Sequence, residues 1–443
     1  MKRSLILSAA IALTALAAGA KDYVVTDFGV SASDSTRVQT RELQAVIDRA
    51  EADGGGNIVL PRGTFLSGAL FFKPGTTLTL REGARLKGSD DVADFPAVPS
   101  RMEGRSIFYH PALVNAYFVD NFAINGPGTI DGNGMKYWVE FWDNVERARK
   151  ADRPWTNLEV RRPRLVFIWG CDGVKLSGVH LINSPFWTTH FYKSRHILME
   201  NCEVQAPREP VRAPSSDAID LDACEDVVIR GCYLNCDDDG VCLKGGKGVF
   251  ATRSVENGPV KNVLVENCTF GPNLHGVVTL GSECIYASGV TLRNCRLEAD
   301  CSLLRLKMRP DTWQVYENIL IENVTGTCGN MIEMLPWKQF FTLEGTDARP
   351  RGVVKNVVMR NIDVECESLG VLAGNPDDTV IDWTMTDISV KAPTDIFYCN
   401  YPQSLTMERV TVNGHAPVIT PANDSDRERL NHDAGVLNKN NER

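Results

Sequence analysis

The 443-residue sequence predicts an all-β chain wound as a single-stranded parallel β-helix and closed at its N-terminal end by one helix. Three observations carry that prediction: a short strand motif recurs, its spacing is irregular, and no helical pattern separates the copies. The copies read VKLSGVHL from Val174, ILMENCEV from Ile197, VVIRGCYL from Val227, VLVENCTF from Val263, VTLRNCRL from Val290, ILIENVTG from Ile319 and VVMRNIDV from Val357. Weaker copies run from Trp383 to Val390 and from Leu405 to Val412, and an earlier one from Val119 to Ile130. The markers Gly178, Asn201, Gly231, Asn267, Asn294, Asn323 and Asn361 lie 23, 30, 36, 27, 29 and 38 residues apart. Coils of a β-helix tolerate such variation because loops of different length leave one face. Leucine-rich repeats keep a tighter period and a Leu code, and a propeller needs four strands per repeat of roughly 40 residues or more. Length alone would allow two or three domains, so the repeats decide, and one solenoid domain is expected over 21–443.

Taken in order, residues 1–20 read as a secretory signal peptide: Lys2 and Arg3, an apolar run from Leu5 to Ala17, then Ala18-Gly19-Ala20. The apolar run is shorter than the roughly 20 residues of a membrane span, so no membrane anchor is expected. RELQAVIDRAEADGG places Leu43, Val46, Ile47 and Ala50 on one helical face and stops at Gly54-Gly55-Gly56. That helix would cap the solenoid's open end, whose strand edges otherwise invite aggregation. Residues 135–160, with Trp138, Trp142 and Trp155, interrupt the repeats and read as a long insertion over one face. The polar tail, 421–443, is expected to fray. Among 13 cysteines, Cys202, Cys232, Cys268 and Cys295 each follow an Asn or Gly that ends a β-rich run, which reads as an inward ladder of small apolar side chains. Disulfides stay open in an oxidising compartment.

Charge narrows the function. Loss of Lys2 and Arg3 with the signal leaves 45 basic against 56 acidic residues, a formal charge of −11. Nucleic-acid binding, which uses Lys and Arg to replace counterions, is not expected. An acidic sugar is compatible, because a local basic cluster suffices when exposed charges are screened beyond roughly 8 Å.

Chemistry-bearing residues fall in successive coils: Asp217, Asp220 and Asp222 in SSDAIDLDAC, Asp237, Asp238 and Asp239 in CDDDGVCLKGG, His275 in NLHGVVTLGSE, and Arg305 with Lys307 in LLRLKMRPDTW. Asp239 lies eight residues after Gly231, His275 eight after Asn267, and Arg305 eleven after Asn294. Similar phase stacks residues on one face, so carboxylates, an imidazole and two cations are expected in one cleft. Each piece alone has a plainer reading as a solvated turn, a structural histidine or a solvated strand face.

Together these motifs resemble glycoside hydrolase family 28, the polygalacturonases. The family's Asn-Thr-Asp, Gly-Asp-Asp, Gly-His-Gly and Arg-Ile-Lys signatures appear, in order, as Ser215-Ser216-Asp217, Asp237-Asp238-Asp239, Leu274-His275-Gly276 and Arg305-Leu306-Lys307. The similarity extends to TDFGV at Thr26, LPRGTFLSGALFF at Leu60, GPGTIDGNG at Gly126 and INSPFWTTH at Ile182. The resemblance implies a right-handed, pectate-lyase-like solenoid and inverting hydrolysis of α-linked galacturonic acid in pectin. Asp238 would be the general acid, Asp217 with Asp239 would hold and deprotonate water, and His275 would hydrogen-bond within the group. Inverting enzymes usually keep their two carboxyl groups roughly 6.5–9.5 Å apart. Arg305 and Lys307 would bind the uronate carboxylate. No cofactor or metal is implied. The expected partner is an acidic poly- or oligosaccharide, and the expected state is a monomer that is periplasmic or secreted.

The departures are Ser215 for Asn, Leu274 and Asp237 for Gly, and the lack of a glycine pair in MRPDTWQVYENI after Lys307. Rhamnogalacturonan therefore competes with homogalacturonan as substrate. Asp237 is read as a solvent-facing turn residue, and Trp187 and Trp313 as candidate sugar platforms. The insertion and the loop at 205–216 suggest exo action, with endo action open. Two alternatives use the same fold: a Ca²⁺-dependent polysaccharide lyase, and a non-catalytic carbohydrate-binding or adhesion protein.

Overall fold

The computed structural model describes residues 21–430, so the expected signal peptide at 1–20 and the last part of the tail, 431–443, lie outside the described residues. From Asp22 onward the chain winds as a right-handed parallel β-helix whose coils stack in parallel register. Each full coil contributes to three sheets. In the middle of the molecule one coil supplies Arg195–Glu200, Glu203–Gln205 and Ile219–Asp222, and the next supplies Glu225–Arg230, Tyr233–Asn235 and Val241–Lys244.

The repeated motif is the first two of these strands joined by a left-handed corner. Gly178, Asn201, Gly231, Asn267, Asn294, Asn323 and Asn361 all have φ between 52° and 65°. Glycine and asparagine reach that conformation at low cost, which explains why they mark the seven clear copies, while Asp387 and Arg409 take the same corner in the two weaker C-terminal ones. The corners also stack, with Asn323 Nδ2 donating to Asn294 Oδ1 at 2.9 Å and Asn361 Nδ2 donating to Asn323 Oδ1 at 2.6 Å. Inside, Val227, Val263, Val290, Ile319, Val357 and Trp383 are register partners across successive coils, and all are buried. Each such side chain contributes about 1.5–3 kcal/mol of transfer free energy. Cys202, Cys232, Cys268 and Cys295 occupy the next inward row as expected, and Val324 continues it.

Helix α1, Thr40–Ala52, buries Leu43, Val46, Ile47 and Ala50 against the first coils, and the Gly55 N–H closes its end on the Ala50 carbonyl at 2.8 Å. The insertion gains a secondary structure the sequence reading did not assign, and the expectation of a frayed tail is corrected. The insertion contains helix α2, Met135–Lys150, which buries Tyr137, Trp138, Phe141, Val145 and Ala148. Those positions follow helical spacing, and the aromatic content hid it. The tail is not frayed at its start: helix α3, Asp424–Leu430, buries Leu430 with Leu335, Val371 and Ala373. Among the described residues no helix is long and apolar enough to cross a membrane.

Candidate active site

The third sheet carries the site. Its strands Ile219–Asp222, Val241–Lys244, Gly276–Leu280 and Ser302–Met308 lie side by side, with Asp220, Cys242, Thr279 and Arg305 in one transverse row. Just before the strands begin, the Ala218 N–H donates to the Asp239 carbonyl at 2.9 Å and the His275 N–H to the Asp238 carbonyl at 3.0 Å. Parallel stacking thus sets Asp217 beside Asp239, and His275 beside Asp238.

Carboxylate oxygens of Asp217, Asp238 and Asp239 lie within 4.8 Å of one another. This is tighter than the carboxyl spacing usual for inversion, because two of the residues are neighbours in sequence and the third sits one coil away. Exposure separates the three. Asp217 and Asp239 are 3% and 1% exposed, whereas the Asp238 side chain is 25% exposed; Asp217 and Asp238 line the cleft and Asp239 does not.

Their electrostatics differ as well. Burial and the charges of Asp238 and Asp220 push the Asp217 carboxyl well above the usual range. For Asp239 burial acts in the same direction, but Lys307 and Arg305 outweigh it and hold the carboxyl below its ordinary value. Lys307 Nζ lies 2.6 Å from Asp239 Oδ2, and Arg305 Nη1 lies 3.7 Å from Oδ1. Asp220, fully buried, is raised to about 7 by burial and by Asp238 and Asp239, with Lys244 pulling the other way at 3.3 Å.

Two expected placements are corrected. Arg305 is 0% exposed and absent from the cleft lining; its Nε donates to Glu333 Oε1 at 2.8 Å. It braces Asp239 from beneath, while Lys307 reaches the cleft. Asp237 does not face solvent: it is buried, with Arg208 Nε 2.9 Å from Oδ1 and Arg212 Nε 2.9 Å from Oδ2. Burial acts to raise its carboxyl, yet His275 and Arg212 hold it low. His275 lies between these groups, with Nε2 3.2 Å from Arg212 Nη2 and Nδ1 3.7 Å from Asp238 Oδ1. Nε2 also lies 3.6 Å from Asp237 Oδ1, so the imidazole bridges the Asp237 and Asp238 carboxyls.

The cleft, a cavity of about 610 Å³, has walls that the sequence motifs did not indicate. Phe141, Trp142, Arg149 and Trp155 come from the insertion, Arg208 and Arg212 from the loop before Asp217, and Trp337 from the coil after Lys307. Lys244 sits over the Trp187 ring at 4.4 Å and within 3.6 Å of Glu283. Trp187 lines the cleft, whereas Trp313 is an exposed residue outside that lining. The segment CLKGG made Lys244 readable as a strand-end cation, but nothing in its spacing pointed to Glu283.

The geometry matches a known group of proteins. The profile of Glycosyl hydrolases family 28 matches residues 57–410. The chain belongs to this family. A Vitis vinifera protein described as a probable polygalacturonase is 27% identical over 283 residues, 62% of this chain and 54% of that protein. An endo-polygalacturonase of Pectobacterium carotovorum subsp. carotovorum is 27% identical over 274 residues, 59% of this chain and 63% of that protein. The matched stretch thus spans less than two thirds of either relative. The crystal structure of a hyperthermoactive exopolygalacturonase from Thermotoga maritima superposes with a TM-score of 0.69 at 22% identity, covering 84% of this chain and 87% of that one. That likeness concerns the fold.

Proposed function

We propose that residues from 21 onward form one exported glycosidase domain that hydrolyses α-galacturonosidic linkages in pectin with inversion. The observation that carries this reading is the arrangement of three carboxylates at the cleft floor, with Asp238 protruding above a recessed Asp217–Asp239 pair. Asp238 protonates the leaving oxygen. Asp239, held ionised by Lys307 and Arg305, takes a proton from the attacking water. Asp217 holds the same water and, as the raised member, stores a proton beside Asp238. His275 faces Asp238, with Nδ1 3.7 Å from its Oδ1, and positions it. A recessed pair suits water activation better than direct attack on the sugar, which supports inversion despite the short spacing.

Lys307 binds the uronate carboxylate beside the scissile bond, and Arg305 positions Asp239. Exo action follows from the wall of α2 and the loop before Asp217, joined where Trp142 Nε1 donates to the Arg212 carbonyl at 2.9 Å. The site's own charges disfavour the Ca²⁺-lyase reading, because ammonium groups already lie 2.6 Å from Asp239 and 3.9 Å from Asp217, where a cation would sit.

The test is product analysis of the mature protein and Asp238→Asn on polygalacturonate in chelator. Saturated galacturonate released by the wild type alone is expected. Unsaturated product, or activity lost with the chelator, would replace hydrolysis by elimination. No product with either polygalacturonate or rhamnogalacturonan would favour a non-catalytic protein.

A further inference from the structure

Two cationic groups flank the acid, and the family resemblance accounted for one of them. Lys307 lies on the Asp239 side. On the other side, the buried Asp237 carries two guanidiniums, Arg208 and the half-exposed Arg212. Arg208 is largely consumed: it also donates Nη2 to the Asn273 carbonyl at 2.8 Å and pairs with Asp300 at 3.5 Å. Arg212 is half exposed and lines the cleft. Arg149, on the last turn of α2, lines the same wall, lies 5.3 Å from the Trp155 ring centroid, and forms no ion pair among the described residues.

We propose that Arg149 and Arg212 form a second carboxylate-binding pole, built by the insertion and the loop before Asp217, that recognises the uronate adjoining the one held by Lys307. The chain of contacts Arg212–His275–Asp238 puts this pole one side chain from the acid. Lys307 reaches the triad from the opposite side, through Asp239. A glycosidic bond placed at Asp238 then has a cation on either side. Guanidinium groups suit the planar carboxylate of a uronate, and the neighbouring, partly exposed Trp142 offers apolar surface to a sugar ring. Homogalacturonan has a carboxylate on both sugars of every linkage, whereas rhamnogalacturonan alternates uronate with neutral rhamnose. The pole therefore selects consecutive uronates, and this inference rests on the hydrolase reading above.

The experiment compares kcat and KM on trigalacturonate and on a rhamnogalacturonan oligosaccharide with one terminal galacturonate, for wild type, Arg149→Gln, Arg212→Gln and Arg149→Lys. Wild type is expected to favour trigalacturonate. Each Gln variant is expected to raise KM for trigalacturonate at least tenfold; Arg149→Gln is further expected to lower the ratio of kcat/KM on trigalacturonate to that on the mixed oligosaccharide at least fivefold, and Arg149→Lys to recover part of the loss. Among the described residues Arg149 pairs with no carboxylate, so its Gln variant breaks no ion pair there and tests the pole even if Arg212→Gln disturbs Asp237. Equal losses on both substrates, no loss on either, or a wild type that cleaves only the mixed oligosaccharide would overturn the second pole. A wild type inactive on both substrates would instead overturn the hydrolase reading.

Discussion

Replacing Lys307 by Met isolates what keeps Asp239 ionised. The substitution retains most of the side-chain volume and removes the ammonium 2.6 Å from Oδ2, leaving Arg305 Nη1 at 3.7 Å from Oδ1. With an effective dielectric of about 20, unit charges at those distances attract by about 6 and about 4.5 kcal/mol, so Lys307 supplies the larger share. Removing one partner of a buried pair costs about 3–5 kcal/mol, and the remaining Arg305 lowers the expected loss to about 2–3 kcal/mol. The sign follows from linkage. In the wild type the Asp239 carboxyl is depressed, so its stabilisation is present above the unfolded value of roughly 3.9 and is lost as pH falls through the folded value. Without Lys307 the folded value rises. At about 1.4 kcal/mol per pH unit, the acid limb of kcat/KM should move up by about 1.5–2 units. The assay is the pH profile of kcat/KM on oligogalacturonate, with a urea melt at pH 7. An acid limb that stays in place while the protein loses stability would refute Asp239 as the base.

Asp222→Ala strands the buried Arg101, whose Nε lies 2.9 Å from Asp222 Oδ2, and should cost about 3–5 kcal/mol in urea unfolding; an unchanged midpoint would contradict the pairing. All 13 cysteines are buried and unpaired, so dithiothreitol should leave the melting temperature unchanged, and a thiol reagent should react only after denaturation. A melting temperature that falls with reductant would reveal a disulfide.

How much was legible follows from periodicity. Coil stacking repeats one local problem, an apolar strand pair closed by a left-handed corner, so the Asn and Gly markers reported both the fold and the phase of the site. Asp217 met Asp239, and Asp238 met His275, because each pair sits on equivalent positions of neighbouring coils, while Lys307 reaches Asp239 from further along its strand. The partners that modify them were not legible. Arg208 and Arg212 reach Asp237 from a loop whose length obeys no period, and α2 comes from an insertion outside the repeat. The inward direction of Arg305 depends on Glu333, its register partner on the following coil, which no motif marks. The third coordinate, depth below the surface, is what separated Asp238 from its two neighbours.

The central claim is that Asp217 and Asp239 activate water while Asp238 acts as the acid. Its most direct test is the anomeric configuration of the first-formed product, followed by proton NMR before mutarotation. β-Galacturonate, the inverted anomer, is expected at the new reducing end. Accumulation of the α-anomer would show retention, as the short carboxylate spacing alone would suggest, and would make one of the recessed aspartates a nucleophile.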